Sequence, residues 1–228
     1  MAAKITRATN SAGNEDPVQA AVQQLYSEGP ERYAEYRARG DNSPETLAWR
    51  AVDAFVQEHS LSSAAIIDLG CGYGADVMRG WRPASYVGYD VSQWMLDRHV
   101  YARQSEATLR LADLNEAPTV DLPRANKTLI LSVLALHYLR DPANLIQKFA
   151  KPGRWFCFLV ANAESDRSSI GDDGVVRLQQ GTMKFTYFAH ELSEYVAGLN
   201  YPSSFIAQQC GGEDKSKQQP YYLLGGRW

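Results

Sequence analysis

A chain of 228 residues, 45% of them hydrophobic, suits one α/β domain with a large core. A formal net charge of −3 without clustered Lys or Arg argues against a nucleic-acid footprint. Three unevenly spread cysteines match no metal-ligand spacing, so a reducing compartment is expected, with no disulfide framework and no metal site. Residues 1–15, rich in Ser, Asn, Gly, Ala and Thr, read as a disordered tail without the apolar core of a signal peptide. No run approaches the length of a membrane span, and a soluble, cytoplasmic protein is the expectation.

Residues 16–60 read as helical. Asp16-Pro17 supplies an N-cap and a first-turn proline, and Val18, Val22 and Leu25 follow at i, i+4 and i+7. Gly29-Pro30 stops that helix, a second short one carries Tyr33, Tyr36, Arg37 and Arg39, and Ser43-Pro44 starts a third with Ala48, Val52 and Phe55 on one face.

The centre of the chain follows. Ala64-Ala65-Ile66-Ile67-Asp68-Leu69 reads as a buried parallel strand, and Gly70-Cys71-Gly72-Tyr73-Gly74 places three glycines at alternate positions beyond it. That spacing permits a sharp turn and close approach of a ligand, with helical N–H groups beyond the turn pointing into the crevice. Strands over 85–90, 107–113, 127–133 and 154–162 alternate with helices over 92–103, Asp141-Pro142 to Phe149, and Glu191 to Leu199. Residues 203–210 and 221–224 form a closing pair joined by the polar loop 211–220. The alternation predicts a doubly wound, Rossmann-like α/β sheet of about seven strands, with a terminal antiparallel hairpin and an N-terminal helical cap.

Three acids fall at successive strand ends. Asp68 precedes the first glycine by two residues, where it repels a pyrophosphate and attracts a ligand carrying an ammonium group and a sulfonium centre. Asp90 lies 22 residues on, placed to accept from ribose hydroxyls. Asp113 ends the third strand, where its carboxylate can accept from an adenine amino group while Leu114 presents a backbone N–H. Cys71, Val91 and Ser132 complete the cofactor set on this reading. The glycines alone also satisfy the loose dinucleotide pattern, and Asp68 is what disfavours an NAD-dependent oxidoreductase.

Asp68-x-Gly70-x-Gly72-x-Gly74 resembles the first motif of the class I (Rossmann-like) S-adenosylmethionine-dependent methyltransferases, and Val87-Gly88-Tyr89-Asp90-Val91-Ser92-Gln93-Trp94-Met95 resembles their second stretch. Leu131-Ser132-Val133-Leu134-Ala135-Leu136-His137 is similar to the family's fourth strand, although Asn126-Lys127 replaces the Phe-Asp many relatives carry upstream. The resemblance implies S-adenosylmethionine as cofactor, Met95 packed against adenine, the fourth strand beside the methionine moiety, and an N-terminal segment over the mouth of the site. It implies methyl transfer to a nitrogen or oxygen of a small-molecule acceptor. A macromolecular acceptor is disfavoured by the missing basic patch, and a non-catalytic cofactor-binding partner subunit is the other alternative.

Displacement at a sulfonium needs alignment first and a general base only when the acceptor must lose a proton. His137, after the fourth strand, is the candidate base, with simple packing as its competing role; His190 reads as a surface or capping residue, and His59 and His99 have no supporting context. Residues 164–183, with Gly171-Asp172-Asp173-Gly174 between two apolar runs, read as a hairpin-like lid. Tyr33, Tyr36 and Tyr187, with Phe185 and Phe188, are candidates for an aromatic substrate wall.

Overall fold

A computed structural model describes residues 16–28, 31, 44–116, 127–180, 183–211 and 219–228. In chain order the strands are β1 (Ala65–Leu69), β2 (Ser85–Asp90), β3 (Ala107–Leu111), β4 (Thr128–Val133), β5 (Trp155–Ala161), β6 (Val175–Gln180), β7 (Met183–Phe188), β8 (Ser204–Cys210) and β9 (Tyr221–Arg227). The α-helices are α1 (Pro17–Val22), α2 (Pro44–Glu58), α3 (Gln93–Asp97), α4 (Pro142–Phe149) and α5 (Leu192–Gly198). Seven strands form one sheet in the order β3-β2-β1-β4-β5-β9-β8, and β6 and β7 pair separately. The first five are mutually parallel; β9 runs antiparallel between β5 and β8, giving the expected closing hairpin.

Strand alternation divides the core into two layers. Ile66, Leu129, Leu131, Cys157 and Leu159 face one side, against Ala48, Val52 and Phe55 of α2. Ile67, Leu69, Ile130, Phe156 and Phe158 face the other, against Leu145, Ile146 and Phe149 of α4 and Tyr195 of α5. Because helices cover both faces, β1 is buried along its whole length, which explains its uninterrupted apolar run around Asp68. Burial of each large apolar side chain on α4 contributes about 1.5–3 kcal/mol, so this amphipathic face, not local propensity, fixes an eight-residue helix.

Strand order reverses at β1, flanked by β2 on one side and β4 on the other. A crevice opens beyond the carboxyl ends of the strands at such a point. Asp68, Asp90 and the residues after Leu111 and Val133 all reach that edge.

Several expected elements differ. Asp16 caps α1, accepting from the N–H groups of Val18 and Gln19, but the helix widens into a π-turn over Gln23–Glu28. The proposed second helix, with Tyr33 and Tyr36, lies outside the described residues. Of the helices grouped as a cap, α2 packs into the main core instead. The glycine turn leads only into a 3₁₀ turn, Asp76–Gly80. Helix α3 stops at Asp97 rather than Arg103, because His99 turns into the core and its Nδ1 accepts the N–H of Tyr101 at 3.1 Å. The N–H of Val100 is likewise taken by the Tyr73 carbonyl. In the 164–183 excursion, Gly171–Gly174 forms a tight turn, while the longer hairpin runs from Val175 to Phe188. Among the described residues no helix is long and apolar enough to cross a membrane.

Candidate active site

The crevice holds two chambers that share Gly70, Gly72, Val133 and Leu134. The outer one, about 710 Å³ of space continuous with solvent, is walled by the ends of β2, β3 and β4 together with α1 and its π-turn. The inner one, about 450 Å³, lies over the glycine turn and is bounded by Asp68, Cys71, Tyr73, Gly74 and Trp49.

The glycine turn is built from inside. Gly70 and Cys71 both donate to the Tyr89 carbonyl, Gly74 donates to the Cys71 carbonyl, and Gly72 donates to Asp90 Oδ2 at 2.8 Å. These four N–H groups are therefore spent within the fold, and the helix whose N–H groups were expected to point into the crevice beyond the turn is a 3₁₀ turn, Asp76–Gly80. Gly70 sits at φ +75°, and a Cβ there would lie 2.2 Å from that of Ala135. Gly72, at φ +54°, faces open space. The first glycine serves packing of β1 against the end of β4; the second leaves room at the junction of the chambers.

The three acids are not equivalent. Asp68 is 2% exposed and accepts the Tyr86 hydroxyl on Oδ2 at 2.7 Å. Burial pushes its pKa up to about 7; the Tyr86 bond opposes the shift and the charge of Asp90 adds to it. Asp90 faces the outer chamber, its Oδ1 accepting the Ser92 N–H at 2.9 Å and its Oδ2 that of Gly72. Burial raises its pKa, and these backbone donors counteract the rise. Each oxygen keeps a further lone pair for a ligand hydroxyl. Asp113 is partly exposed at the rim and spends Oδ1 on the N–H and side-chain amide of Asn115, an Asx turn.

Val91, Met95 and Leu114 line the outer chamber with Asp90 and Asp113, so the structure gathers the proposed adenosine contacts on one wall. Ser132 is not among them. It is fully buried and donates to the Leu69 carbonyl at 2.7 Å, tying β4 to β1. Tyr187 is buried between Ala161, Ala163 and Val176 beneath the β6–β7 hairpin and does not line the outer chamber. His137 is 5% exposed, stacks edge-on to Tyr187 with ring centres 4.9 Å apart, and leaves Nδ1 without a partner. Burial, then the charge of His190, lowers its pKa to about 3, a value unsuited to a base at neutral pH. His190 proves to be buried rather than superficial, its Nε2 donating to the Leu139 carbonyl at 2.7 Å and its Nδ1 lying 2.9 Å from Glu194.

Residues of the N-terminal segment that the sequence did not single out for the site line its mouth. Gln19, Val22 and Tyr26 line the outer chamber opposite Tyr138. Gln19 donates to the Tyr138 carbonyl at 3.2 Å, the Tyr26 and Tyr138 hydroxyls are 2.8 Å apart, and Ser92 Oγ donates to the Tyr26 carbonyl. Arg140 Nε reaches Asp16 at 2.6 Å. Strand β7 packs against both α1 and the turn Leu136–Tyr138, joining hairpin and N-terminal segment around the opening. Leu134, shared by both chambers, has φ +57°, a strained conformation for a leucine, held by its N–H on the Leu159 carbonyl.

A methyltransferase-domain model matches residues 22–203, and the chain belongs to that family, as a class I, Rossmann-like S-adenosylmethionine-dependent methyltransferase. S-adenosylmethionine is the cofactor of the family. In fold the chain is similar to an S-adenosylmethionine dependent methyltransferase from Mesorhizobium loti, at 20% identity over 82% of this chain and 99% of that one, TM-score 0.57. It is also similar to the N-methyltransferase NodS from Bradyrhizobium japonicum WM9 in complex with S-adenosyl-L-homocysteine, at 19% identity over 93% and 98%, TM-score 0.58. A DhpI-SAM-HEP complex is similar at 14% identity over 87% and 97%, TM-score 0.53. No curated protein matches the chain by sequence.

Proposed function

We propose that this protein transfers the methyl group of S-adenosylmethionine to a nitrogen or oxygen of a small molecule, in the cytoplasm. One observation carries the reading: a crevice at the reversal of strand order, with Asp68 in its inner chamber and Asp90 and Asp113 in its outer one. On this reading Asp90, Val91, Met95, Asp113 and Leu114 hold the adenosine part, and Asp68, Gly70, Cys71 and Gly72 surround the amino-acid part. The bound cofactor supplies an activated methyl on a sulfonium. Residues 16–28 and the β6–β7 hairpin act as cap and lid over the acceptor, and Tyr26 and Tyr138 give the mouth an aromatic, hydroxyl-bearing surface.

The chain's work is then alignment and exclusion of water, with no histidine base. His137 is neutral, enclosed and absent from the lining of both chambers, which suits an acceptor that already offers a free lone pair. Incubation with methyl-labelled S-adenosylmethionine and a panel of small amines and hydroxyl compounds tests the proposal. Label in one acceptor, with release of S-adenosylhomocysteine, supports it. Tight cofactor binding without turnover on any acceptor, rescued by a second protein, would favour the partner-subunit reading instead.

A further inference from the structure

Beneath the glycine turn lies a buried polar chain that the alignment of acceptor and methyl does not require. His99, 4% exposed, and Tyr86, 1% exposed, meet with Nε2 and the hydroxyl 2.9 Å apart, and the same hydroxyl reaches Asp68 Oδ2 at 2.7 Å. The backbone sets the direction of donation. Nδ1 of His99 accepts the Tyr101 N–H, so the ring proton of the neutral imidazole belongs on Nε2. Nε2–H then donates to the Tyr86 oxygen, and the only hydroxyl proton of Tyr86 is left for Asp68. Protonating His99 would set two donors against each other at Nδ1; burial keeps it neutral, with a pKa lowered to about 4.

Gly88 makes the contact possible. It pairs with Asp68 in the register of β1 and β2, and a Cβ there would stand 2.9 Å from the Tyr86 ring and 2.8 Å from Cys71 Sγ. A side chain at 88 would push the phenol off its line to the carboxylate.

We propose that His99 and Tyr86 are positioning residues for the charged end of the cofactor: their one-way relay pins Asp68 Oδ2 and turns Oδ1 toward the inner chamber as the acceptor for the cofactor's ammonium group. The inference rests on the cofactor assignment above. Among the described residues, the titratable groups electrostatically coupled to Asp68 are Tyr86 and Asp90 of β2, Cys71 of the turn, Tyr101 after α3, and Cys157 of β5, with His99 bonded behind Tyr86. None is a cation while His99 is neutral. Below about pH 7 the empty site therefore holds a proton on Asp68 in most molecules, and an arriving ammonium group replaces it.

The consequence is measurable. Isothermal calorimetry of S-adenosylhomocysteine binding, in buffers of different ionisation enthalpy, counts the protons released. With the carboxyl near pH 7 when empty, about 0.9 of a proton leaves on binding at pH 6 and about 0.2 at pH 7.5. Tyr86→Phe removes the hydroxyl that donates to Asp68 and should weaken binding by about ten-fold at pH 7, while moving the proton release to higher pH. His99→Leu should do the same in part, and His99→Gln, which keeps a donor, should restore most of the affinity. 5′-Methylthioadenosine, which lacks the amino-acid end, separates positioning from mere structural support. Its affinity should be unchanged in all three variants and its binding should release no proton. Should S-adenosylhomocysteine bind with no proton exchange, or should Tyr86→Phe weaken both ligands equally, the relay has no positioning role. Failure of wild type to bind either ligand would refute the underlying cofactor assignment instead.

Discussion

Gly70 and Gly72 look alike in the sequence, yet the structure assigns them different work, and replacing each with alanine separates the two. At Gly70 the new Cβ meets that of Ala135 at 2.2 Å, and neither atom lies on a flexible side chain, so the ends of β1 and β4 must separate. Left-handed backbone and overpacking together cost ~2–5 kcal/mol, a large part of the ~5–15 kcal/mol that holds a domain folded. At Gly72 nothing lies within 4 Å of the new methyl, so only the backbone term of ~1–2 kcal/mol remains. That methyl sits at the junction of the chambers, where the proposed binding mode has the cofactor cross. Urea unfolding, with the slope checked for constancy, should find Gly70→Ala the less stable by at least ~1 kcal/mol. Calorimetry should find Gly72→Ala folded but at least ~10-fold weaker for S-adenosylhomocysteine, about 1.4 kcal/mol of binding. A Gly72→Ala protein that binds as tightly as wild type would show that the cofactor does not pass over this residue. Equal stability of the two variants would refute the packing argument.

Asp90→Ala should lower cofactor affinity by roughly ten-fold to a hundred-fold with the fold retained, since bonds to a charged acceptor contribute about 1.5–3 kcal/mol; unaltered affinity by calorimetry would reduce Asp90 to a clasp for Gly72 and Ser92. His137→Asn should leave turnover within a few-fold across the pH–rate profile, and a thousand-fold loss at constant cofactor affinity would make it the base after all. The same variant tests a linkage: His137 is depressed to about 3 in the fold, so its contribution to stability is present above its unfolded pKa of about 6.5 and lost as pH falls toward 3. Urea midpoints at pH 7 and pH 4.5 should therefore fall less in His137→Asn than in wild type, the variant-minus-wild-type difference being used because Asp68 titrates with the opposite sign between about pH 4 and 7. Asp16→Ala removes the α1 cap and should release the 16–28 segment by about 1 kcal/mol, seen as faster amide exchange at Val18 and Gln19; the Arg140 pair, with its side chain 61% exposed, adds little to this. Identical exchange in the variant would mean the segment is held by its tyrosines alone.

What was legible in the sequence was whatever a local rule controls. The apolar run of β1, the acid-and-glycine turn, Asp141 capping α4 and the alternation that layers the sheet all follow from period, propensity and turn chemistry. Asp90 could be placed at the crevice because it ends the second strand, one β-to-β crossover beyond the glycine turn. The misses share a different cause. Helix α3 carries no breaker near Asp97; it ends because the His99 ring has a better partner in Tyr86, and only the tertiary fold reveals that. Ser132 has the right position on β4, but pleat alternation aims its hydroxyl at the Leu69 carbonyl. Tyr187 is aromatic and near the site, yet the β6–β7 pairing turns it inward. Conversely, Tyr26 and Tyr138 meet across 112 positions of sequence, a contact no periodicity encodes.

Why such a turn should take a sulfonium cofactor and not a dinucleotide can be argued from the fate of its donors. A pyrophosphate site needs free backbone N–H groups at the start of a helix. Here those of Gly70, Cys71, Gly72 and Gly74 are bonded within the fold, and a single 3₁₀ turn, Asp76–Gly80, stands where a helix N-terminus would be. Asp90 performs both tasks at once, fastening Gly72 with one oxygen and Ser92 with the other while facing the outer chamber. With its donors consumed, the turn offers an anion little, and the nearest uncompensated group is the Asp68 carboxyl. A ligand entering the inner chamber gains most by bringing positive charge to that carboxyl, because ionising it alone in a buried setting is what raises its pKa. The preference for a cationic cofactor thus arises from two coupled features: donors turned inward, and an acid left waiting for a counter-charge.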